Sequence, residues 1–374
     1  MGKCRSRVGE AGPPPRVLLV GYFLSSAPGT RGVCEDLAER LTARGWPVVT
    51  ASSRETAVAR TFDMVAAGAG LRGAYEVAVM DVYSGRPFLW AQAASAAVRL
   101  RGRPLILVLR GGGLPAFAGR YPLRVRRLLE RADAVVSPST YLRDAFLSVR
   151  RDLLLVPNAL DWERYLFRPR SPARPRILWL RAFHEVYDPS LAPAVLSRII
   201  EALPDATLRM AGPDRGDGSL ARARQEVERL GLGARVEFVG PVRKVEIPEL
   251  MAESDVYLNT SRVDNAPVTV VEALACGLCV VSTDVGGIRG LCAHGREAVL
   301  ASAGDADALA KGVVDVVRDP ALAATLSRGG RERAEAYRWS RILPRWEEIL
   351  RSVALGRAPV AEPGEGVPGR EAAP

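Results

Sequence analysis

The first half of the chain alternates short apolar runs with longer segments in which apolar residues recur at helical spacing. Continuous apolar runs of this length are typical of strands buried on both faces of a sheet. The predicted strands lie at 16–21, 47–50, 76–80, 105–109, 134–136 and 153–156, and predicted helices include 31–44, 87–100 and 140–149. Strands that alternate with helices predict βαβ units and a parallel sheet.

The same pattern restarts after a segment rich in proline and arginine at 167–176. Strands are then predicted at 177–180, 207–211, 236–239, 256–258, 279–282 and 298–300, with helices at 191–202, 219–230, 268–275, 305–317, 322–337 and 340–355. The fold class is therefore α/β, with two Rossmann-like doubly wound domains facing a central cleft. In such sheets, ligands bind beyond the carboxyl ends of the strands.

The predicted organisation has five parts. They are a flexible tail at 1–15, a first domain at 16–168, a second domain at 169–338, a closing helix at 339–355 and a disordered tail at 356–374, which is rich in Pro, Gly, Ala and Glu. The chain contains no uninterrupted apolar run of about 18 residues, so no transmembrane helix is predicted. The first residues have no apolar central region of the kind found in secretory signals. A cytoplasmic location is expected.

Composition adds one feature, a formal net charge of +10 that comes almost entirely from arginine. Such a charge favours anionic partners. No zinc-finger, homeodomain or RNA-recognition signature is present, so nucleic acid is not an expected partner. Cys276 and Cys279 form a C-x-x-C pair. They are interpreted as small buried hydrophobic residues, with structural zinc as the less favoured alternative.

The best candidate for chemistry is the segment 261–287, which holds Asp264 and Glu272 eight residues apart. Asp264 follows a predicted strand, and Glu272 lies inside an apolar helix, where a carboxylate is costly unless it is paired. A ribose diol offers two donors to such a carboxylate. The residues Asn265, Ala266, Pro267 and Val268 open this helix, and N–H groups at a helix N-terminus suit a diphosphate. On spacing alone, an ordinary exposed glutamate remains equally open.

This segment resembles the nucleotide-sugar signature of the family-4 retaining glycosyltransferases, the glycosyl transferases group 1, which have the GT-B fold. Asp264, Glu272, Gly277, Gly286 and Gly287 stand in register with the family pattern. The first carboxylate is Asp where Glu is usual in the family. The resemblance implies a nucleotide-sugar donor, retention of anomeric configuration, Asp264 at the transferred sugar and Glu272 at the ribose. It also implies that no cofactor or metal is needed.

Other turns extend the resemblance over most of the chain. Gly212 lies at a strand end that resembles a Gly-containing turn of the family, and the residues from Arg243 to Val245 would flank the base. The pair Trp339-Ser340 resembles the start of the family's last helix, which returns to the first domain. Ser137 and Asn158 lie in two further family-like turns.

The family holds the diphosphate with an arginine and a lysine, and this chain keeps only the first. Arg181 takes the arginine position, whereas the lysine position falls on Tyr187. The resemblance therefore implies that Arg181 stabilises the leaving group, and bidentate phosphate contact suits a guanidinium. An ion pair at the surface is the alternative interpretation of Arg181.

Two glycine-containing loops of the first domain are donor-binding candidates. One contains Gly29 and the other begins with Arg110 and Gly111. Glycine lets a backbone approach a ligand closely. Many relatives have a histidine near the second loop, but this chain has only His184 and His294, which lie elsewhere. Arg110 or the glycine backbone takes its place, or catalysis is impaired.

The segment 120–131 combines five arginines with apolar residues. It is either the solvated face of a packed helix, the favoured interpretation, or a helix in peripheral contact with an anionic membrane.

The predicted function is transfer of a sugar from a UDP- or GDP-sugar to a hydroxyl group, in polysaccharide or glycoconjugate biosynthesis. The acceptor is a glycan, a lipid-linked molecule or a small molecule. The alternatives are a GT-B-fold nucleotide-sugar epimerase or hydrolase and a non-catalytic nucleotide-sugar-binding protein.

Overall fold

The computed structural model describes residues 12–23, 32–54 and 56–360. Its first sheet has six strands: β1 (Val17–Val20), β2 (Val48–Ala51), β3 (Val77–Val82), β4 (Leu105–Leu109), β5 (Ala134–Ser137) and β6 (Leu154–Leu155). The helices of this part are α1 (Val33–Ala43), α2 (Ala57–Gly68), α3 (Arg86–Leu100), α4 (Leu114–Arg120), α5 (Pro122–Glu130) and α6 (Thr140–Phe146). The strands are all parallel and lie in the order β2-β1-β3-β4-β5-β6.

The second sheet also has six parallel strands: β7 (Arg176–Leu180), β8 (Thr207–Ala211), β9 (Val236–Gly240), β10 (Val256–Asn259), β11 (Cys279–Thr283) and β12 (Ala298–Ala301). Its order is β12-β11-β10-β7-β8-β9. The helices here are α7 (Leu191–Ile199), α8 (Ser219–Arg229), α9 (Ile247–Ala252), α10 (Val268–Cys276), α11 (Ile288–Leu291), α12 (Ala306–Arg318), α13 (Pro320–Ala334) and α14 (Trp339–Ala354). Both sheets are doubly wound, which confirms the predicted fold class.

Each sheet is buried on both faces, which explains why its strands are continuous apolar runs. One face of the first sheet packs against the helices α2 to α6. The other face packs against α1 and α14, where Trp346 and Ile349 meet Leu41 and Val79. The last helix of the chain therefore returns to the first sheet.

Two departures from the sequence-based expectation have local causes. The segment 120–131 is not one helix, because the chain breaks at Tyr121 and α5 starts at Pro122. A proline ring fits the first turn of a helix but not its interior. The sequence pattern also failed to predict α2, whose solvent side carries Val58 and Phe62 and so lacks the polar stripe that marks a surface helix.

The strand order places a crevice in each sheet. In the second sheet, the direction of winding reverses between β7 and β10, which are neighbours. Ligands bind at such a point, beyond the carboxyl ends of the strands. Arg181 directly follows β7, and the loop with Asp264 follows β10. Among the helices described, none is long and apolar enough to cross a membrane.

Candidate functional site

Arg181 and Asp264 form a buried ion pair where the second sheet divides. Arg181 Nη2 lies 2.5 Å from Asp264 Oδ2, and Arg181 Nη1 donates to Thr269 Oγ1 at 3.2 Å. Burial alone lowers the pKa of the Arg181 guanidinium, but the Asp264 carboxylate outweighs it and holds that pKa above its usual value. The surface ion pair considered for Arg181 is therefore wrong: only 10% of the arginine side chain is exposed, and its partner is the other predicted catalytic residue.

Tyr187 takes up the place beside Arg181 that the family pattern gives to a lysine. Its ring lies under the guanidinium, with Arg181 Cζ 4.1 Å from the ring centroid. A cation over an aromatic face is attracted by the ring quadrupole. The tyrosine thus holds Arg181 from one side while Asp264 holds it from another.

The turn at Gly286 and Gly287 fixes the loop that carries Asp264. A Cβ on Gly286 would overlap the carbonyl oxygen of Asp264, and a Cβ on Gly287 would overlap that of Asn265. Gly287 N–H donates to the Asp264 carbonyl at 3.0 Å. Only glycine allows two backbones to approach so closely. The glycine pair therefore positions the first turn of α10 in front of β11.

The N-terminus of α10 opens toward the same crevice. Its N-cap residue is Pro267, which makes no side-chain capping hydrogen bond. Asn265 and Ala266 precede it and bind the first domain instead: Asn265 Oδ1 accepts from Ser139 Oγ, and the Ala266 carbonyl accepts from Asn158 Nδ2 at 3.2 Å. The residues predicted to contact a diphosphate thus lie at the junction of the two domains.

Glu272 is buried in α10, with 2% of its surface exposed. Tyr165 Oη donates to Glu272 Oε1 at 2.6 Å, and Glu272 Oε2 has no hydrogen-bond partner among the described residues. Burial raises the pKa of the carboxyl above its ordinary value. The alternative of an exposed glutamate is therefore wrong. A buried carboxylate oxygen without a partner is costly, and a sugar diol would satisfy it.

The loop after β9 contributes Lys244, which lies within the predicted segment from Arg243 to Val245 but was not singled out there. Arg243 pairs with Glu246, and Val245 is 62% exposed. Their place beside the base of the donor stays a prediction. Lys244, between them, reaches across to Asp36 of α1, with Nζ 2.5 Å from Oδ2. Its charge lowers the pKa of Glu272 against the effect of burial. The sequence offered one signal for Lys244, the rarity of lysine, since the chain has three lysines in all.

The first domain faces this site with the loop after β4. Arg110 is buried, and its Nε donates to Asp81 Oδ1 at 2.9 Å while Nη1 donates to Asn158 Oδ1 at 2.6 Å. Gly111 has a positive φ of 75°. A Cβ on Gly112 would lie 2.6 Å from Val263 Cγ1, so this loop touches the loop of Asp264. The predicted residues Arg110 and Gly111 therefore do lie across from Asp264.

The remaining predicted site residues have different outcomes. Gly212 has a φ of 142°, and a Cβ there would overlap the Arg181 carbonyl. The absence of a side chain therefore lets the end of β8 pack against the backbone of Arg181. Gly29 lies outside the described residues. A separate cavity borders Ser139, Asn158 and Asn265, but it does not include Arg181 or Glu272.

An aromatic cluster that sequence reasoning missed lies at the crevice of the first sheet. Tyr22 follows β1 and Tyr83 follows β3, with ring centroids 5.2 Å apart, and Trp90 of α3 lies 6.1 Å from Tyr22. Arg60 Cζ lies 4.9 Å from the Tyr22 ring. The cluster places aromatic rings next to cationic and hydroxyl groups.

The C-x-x-C pair packs as small hydrophobic residues. Cys276 and Cys279 are buried in two different cores of the second domain. Burial raises the pKa of each thiol to about 12, which disfavours the thiolate that binds metals. Among the described residues, no group of three or more His, Cys, Asp or Glu side chains could hold a metal ion.

Two facing doubly wound domains, with an anion-suited helix terminus and a buried carboxylate in the second, define the class as GT-B. Solved structures agree on the fold. Sucrose-phosphate synthase from Thermosynechococcus elongatus superposes with a TM-score of 0.76 at 20% identity, over 91% of this chain and 100% of that one. Anabaena Alr3699/HepE in complex with UDP and glucose has a TM-score of 0.72 at 19% identity, over 90% and 100% of the two chains.

Residues 167–333 match the family model described as glycosyl transferases group 1. Through this segment, which is less than half of the chain, the protein is similar to that family. A D-inositol 3-phosphate glycosyltransferase from Mycobacterium marinum is 28% identical over 58% of this chain and 50% of its own length. An N-acetyl-alpha-D-glucosaminyl L-malate synthase from Bacillus anthracis is 25% identical over 61% of this chain and 62% of its own length. The chain thus spans roughly half of the length of these curated relatives.

Proposed function

We propose that the protein transfers a sugar from a UDP- or GDP-sugar to an acceptor hydroxyl, with retention of anomeric configuration. The observation that carries the proposal is the unit from Asp264 to Glu272. It joins the buried Arg181–Asp264 pair, the N-terminus of α10 and a buried carboxylate with one unpartnered oxygen. The ion pair matches a diphosphate and sugar, the N-terminus of α10 matches a phosphate, and the buried carboxylate matches a ribose.

The donor would be held by the second domain. Glu272 Oε2 would accept from the ribose diol, while Tyr165 keeps Oε1 in place. Arg181 would face the diphosphate and stabilise the charge that develops on the leaving group. The N–H groups of the first turn of α10 add a fixed positive potential beside it.

Asp264 and the loop at Arg110 would enclose the transferred sugar from opposite sides. The two loops touch through Gly112 and Val263, so the cleft between the domains is narrow here. A narrow cleft excludes water, which would otherwise hydrolyse the donor. Arg110 is engaged by Asp81 and Asn158, so its role would be to hold this loop and the junction in place.

The acceptor would bind the first domain at the cluster of Tyr22, Tyr83 and Trp90. Aromatic faces stack on rings of ligands, and Arg60 lies over two of them. Relatives have D-inositol 3-phosphate and L-malate in their names, and both carry acidic groups. An acceptor with an acidic group fits a chain with a net charge of +10.

The test is donor binding by calorimetry together with turnover for Glu272→Ala and Asp264→Asn. We expect Glu272→Ala to weaken nucleotide binding and Asp264→Asn to lower kcat, with Glu228→Ala, an exposed glutamate of α8, as the matched control. Donor affinity and rate that stay unchanged in both site variants would contradict the proposal.

A non-catalytic nucleotide-sugar-binding protein is the second candidate, because Tyr187 replaces a lysine and no histidine lies in the loop at Arg110. An epimerase or hydrolase of the donor is the third. Incubation with nucleotide-sugars and an acceptor extract, followed by mass spectrometry and chromatography, separates them. A new glycoside supports transfer, a free epimer or free sugar supports the third candidate, and bare binding supports the second.

A further inference from the structure

The outer helices of the first domain expose most of the large apolar side chains found on the surface. Eight of the thirteen exposed large apolar side chains among the described residues lie between residues 56 and 152: Val58, Phe62, Leu71, Leu89, Leu100, Tyr121, Leu123 and Leu147. Single exposed apolar residues are normal on a soluble protein. Their concentration in one domain points to a contact surface.

The helices α2, α3 and α5 form one continuous layer here. They cover the same face of the first sheet, and α2 packs along α3. Gln92 of α3, Arg124 and Arg127 of α5 and Arg131 at the end of α5 line a single depression, so α3 and α5 are also neighbours. The exposed apolar residues of these three helices therefore belong to one surface, which we call the outer helical face (the solvent side of α2, α3 and α5). They are Val58, Phe62, Leu89, Leu100 and Leu123.

The same part of the chain carries most of the net charge. Residues 56–152 contain 15 arginines, no lysine and 7 acidic residues, which gives +8 of the formal +10. Arg126 pairs with Glu130, but the side chains of Arg124, Arg127 and Arg131 make no hydrogen bond or ion pair with any described residue. Three guanidinium groups thus meet in one depression without a carboxylate to neutralise them.

An ordinary solvated helix face does not combine these features. Between Arg86 and Arg99, α3 has no charged residue, although Leu89 and Ala93 face solvent. A stable surface helix in water normally presents charged residues there. An apolar strip bordered by unpaired arginines is instead the composition of helices that lie in the interface of an anionic bilayer.

We propose that the outer helical face is a docking surface for an anionic lipid bilayer. Arg124, Arg127 and Arg131 bind headgroup phosphates in their shared depression, since guanidinium groups suit bidentate phosphate contact. Phe62, Leu89 and Leu123 enter the boundary between headgroups and acyl chains. The protein lies on the membrane and does not span it.

The position of α3 gives this surface a consequence for the acceptor, which rests on the proposed function. Trp90 packs toward Tyr22 at the crevice of the first sheet, and the adjacent Leu89 faces outward on the same turn. The proposed acceptor cluster therefore lies one helix thickness from the docking surface. A lipid-borne acceptor would reach the cleft without leaving the bilayer.

The test is co-sedimentation of the full chain with phosphatidylcholine vesicles, with and without phosphatidylglycerol. We expect binding only to the anionic vesicles, and weaker binding at high salt. The triple variant R124Q/R127Q/R131Q should lose roughly 100-fold in affinity, because each basic side chain near an anionic surface is worth about 1 kcal/mol. The double variant F62S/L123S should also bind more weakly than wild type, and this loss of affinity should not depend on the salt concentration.

The control is R222Q/R229Q/R296Q, which removes the same charge from exposed positions of the second domain. Nucleotide binding and thermal unfolding report whether each variant is folded, and nucleotide binding also separates a failure of this proposal from a failure of the proposed function. Equal loss in the control would overturn the docking surface, as would wild-type affinity in the triple variant. If wild-type protein ignores anionic vesicles, the proposal fails whatever the variants do. If it binds RNA instead, the face belongs to nucleic acid.

Discussion

At the scale of single residues, Glu272 shows a conflict between stability and binding. Its side chain is buried, one oxygen is bonded to Tyr165, and the other has no partner among the described residues. Burial raises the pKa of the carboxyl because the charged form is poorly solvated. A group that would bind a ligand well is therefore a cost to the folded protein without that ligand.

We expect Glu272→Gln to raise the free energy of unfolding by about 1 kcal/mol at pH 7.5, since it removes a buried charge. The gain should shrink toward zero near pH 4. The native carboxyl holds its proton to a higher pH than the carboxyl of the unfolded chain, which ionises at the ordinary glutamate pKa of 4.5. Wild-type stability therefore falls as pH rises from about 4 through the raised native pKa.

Chemical denaturation of both proteins across this pH range measures the difference. A variant that is less stable than wild type at pH 7.5, or a difference that grows as pH falls, would contradict this interpretation of Glu272. Nucleotide affinity in the same samples should drop, which separates the stability effect from the binding effect.

Tyr187 is expected to act through its ring rather than its hydroxyl. Tyr187→Phe should leave kcat/KM within about twofold, since the ring still lies under Arg181. Tyr187→Leu should lower it by about 2–30-fold, which corresponds to the 0.5–2 kcal/mol of a cation–π contact. Steady-state kinetics with a fixed donor tests this. An equal loss in both variants would assign the role to the hydroxyl instead.

At the scale of elements, α10 and the turn before α11 work as one unit. The turn at Gly286 and Gly287 presses on the loop of Asp264, and that loop leads directly into α10 with Glu272. The two glycines thus set how far Asp264 and Glu272 lie from the carboxyl ends of the strands. A change in the turn should be felt at both ends of the site.

We expect Gly287→Ala to lower kcat/KM by at least about 100-fold, because its Cβ would overlap the Asn265 carbonyl and push the loop away. Gly233→Ala is the matched control: no atom lies within 4 Å of a Cβ built there. Neither position has a positive φ, so the comparison isolates the close approach. Kinetics and thermal unfolding of both variants check the prediction, and equal activity would refute it.

At the scale of the whole molecule, a few polar contacts join the domains beside the site. Asn158 accepts from Arg110 and donates to the Ala266 carbonyl, Ser139 binds Asn265, and Lys244 binds Asp36. These contacts connect the first sheet with α10 and with the loop after β9. The apolar packing of α14 on the first sheet adds a further connection, because α14 follows the second domain in the chain but packs on the first. Relative domain motion should therefore be controlled by polar groups at the cleft.

We expect Asn158→Asp to loosen the closed arrangement. The new carboxylate still accepts from Arg110, but its second oxygen would face the Ala266 carbonyl that Nδ2 now binds. Small-angle scattering should show a larger radius of gyration than wild type, and kcat/KM should fall by about 10-fold. Unchanged scattering with or without nucleotide would show that this contact does not hold the domains together.

The sequence by itself determined the fold class, the two domains and the unit around Asp264 and Glu272. Buried parallel strands must be continuous apolar runs, and glycines and carboxylates in a fixed register leave a pattern that is visible in one dimension. Arg181 was also found in this way. These features depend on neighbours that are close in sequence or on a strong period, so local pattern is enough to predict them.

Only the tertiary structure decided which side chains meet. Several of these contacts join residues that are far apart in sequence, and no local period marks them. They are the contacts of Tyr165 with Glu272, of Lys244 with Asp36, and of Tyr22 with Tyr83 and Trp90. The exposure of Arg243 and Val245 was also invisible, because side chains of an irregular loop follow no fixed period. Burial decided the rest: one glutamate on an apolar helix looks the same in sequence whether it faces water or a core, but its charge costs free energy only in the core.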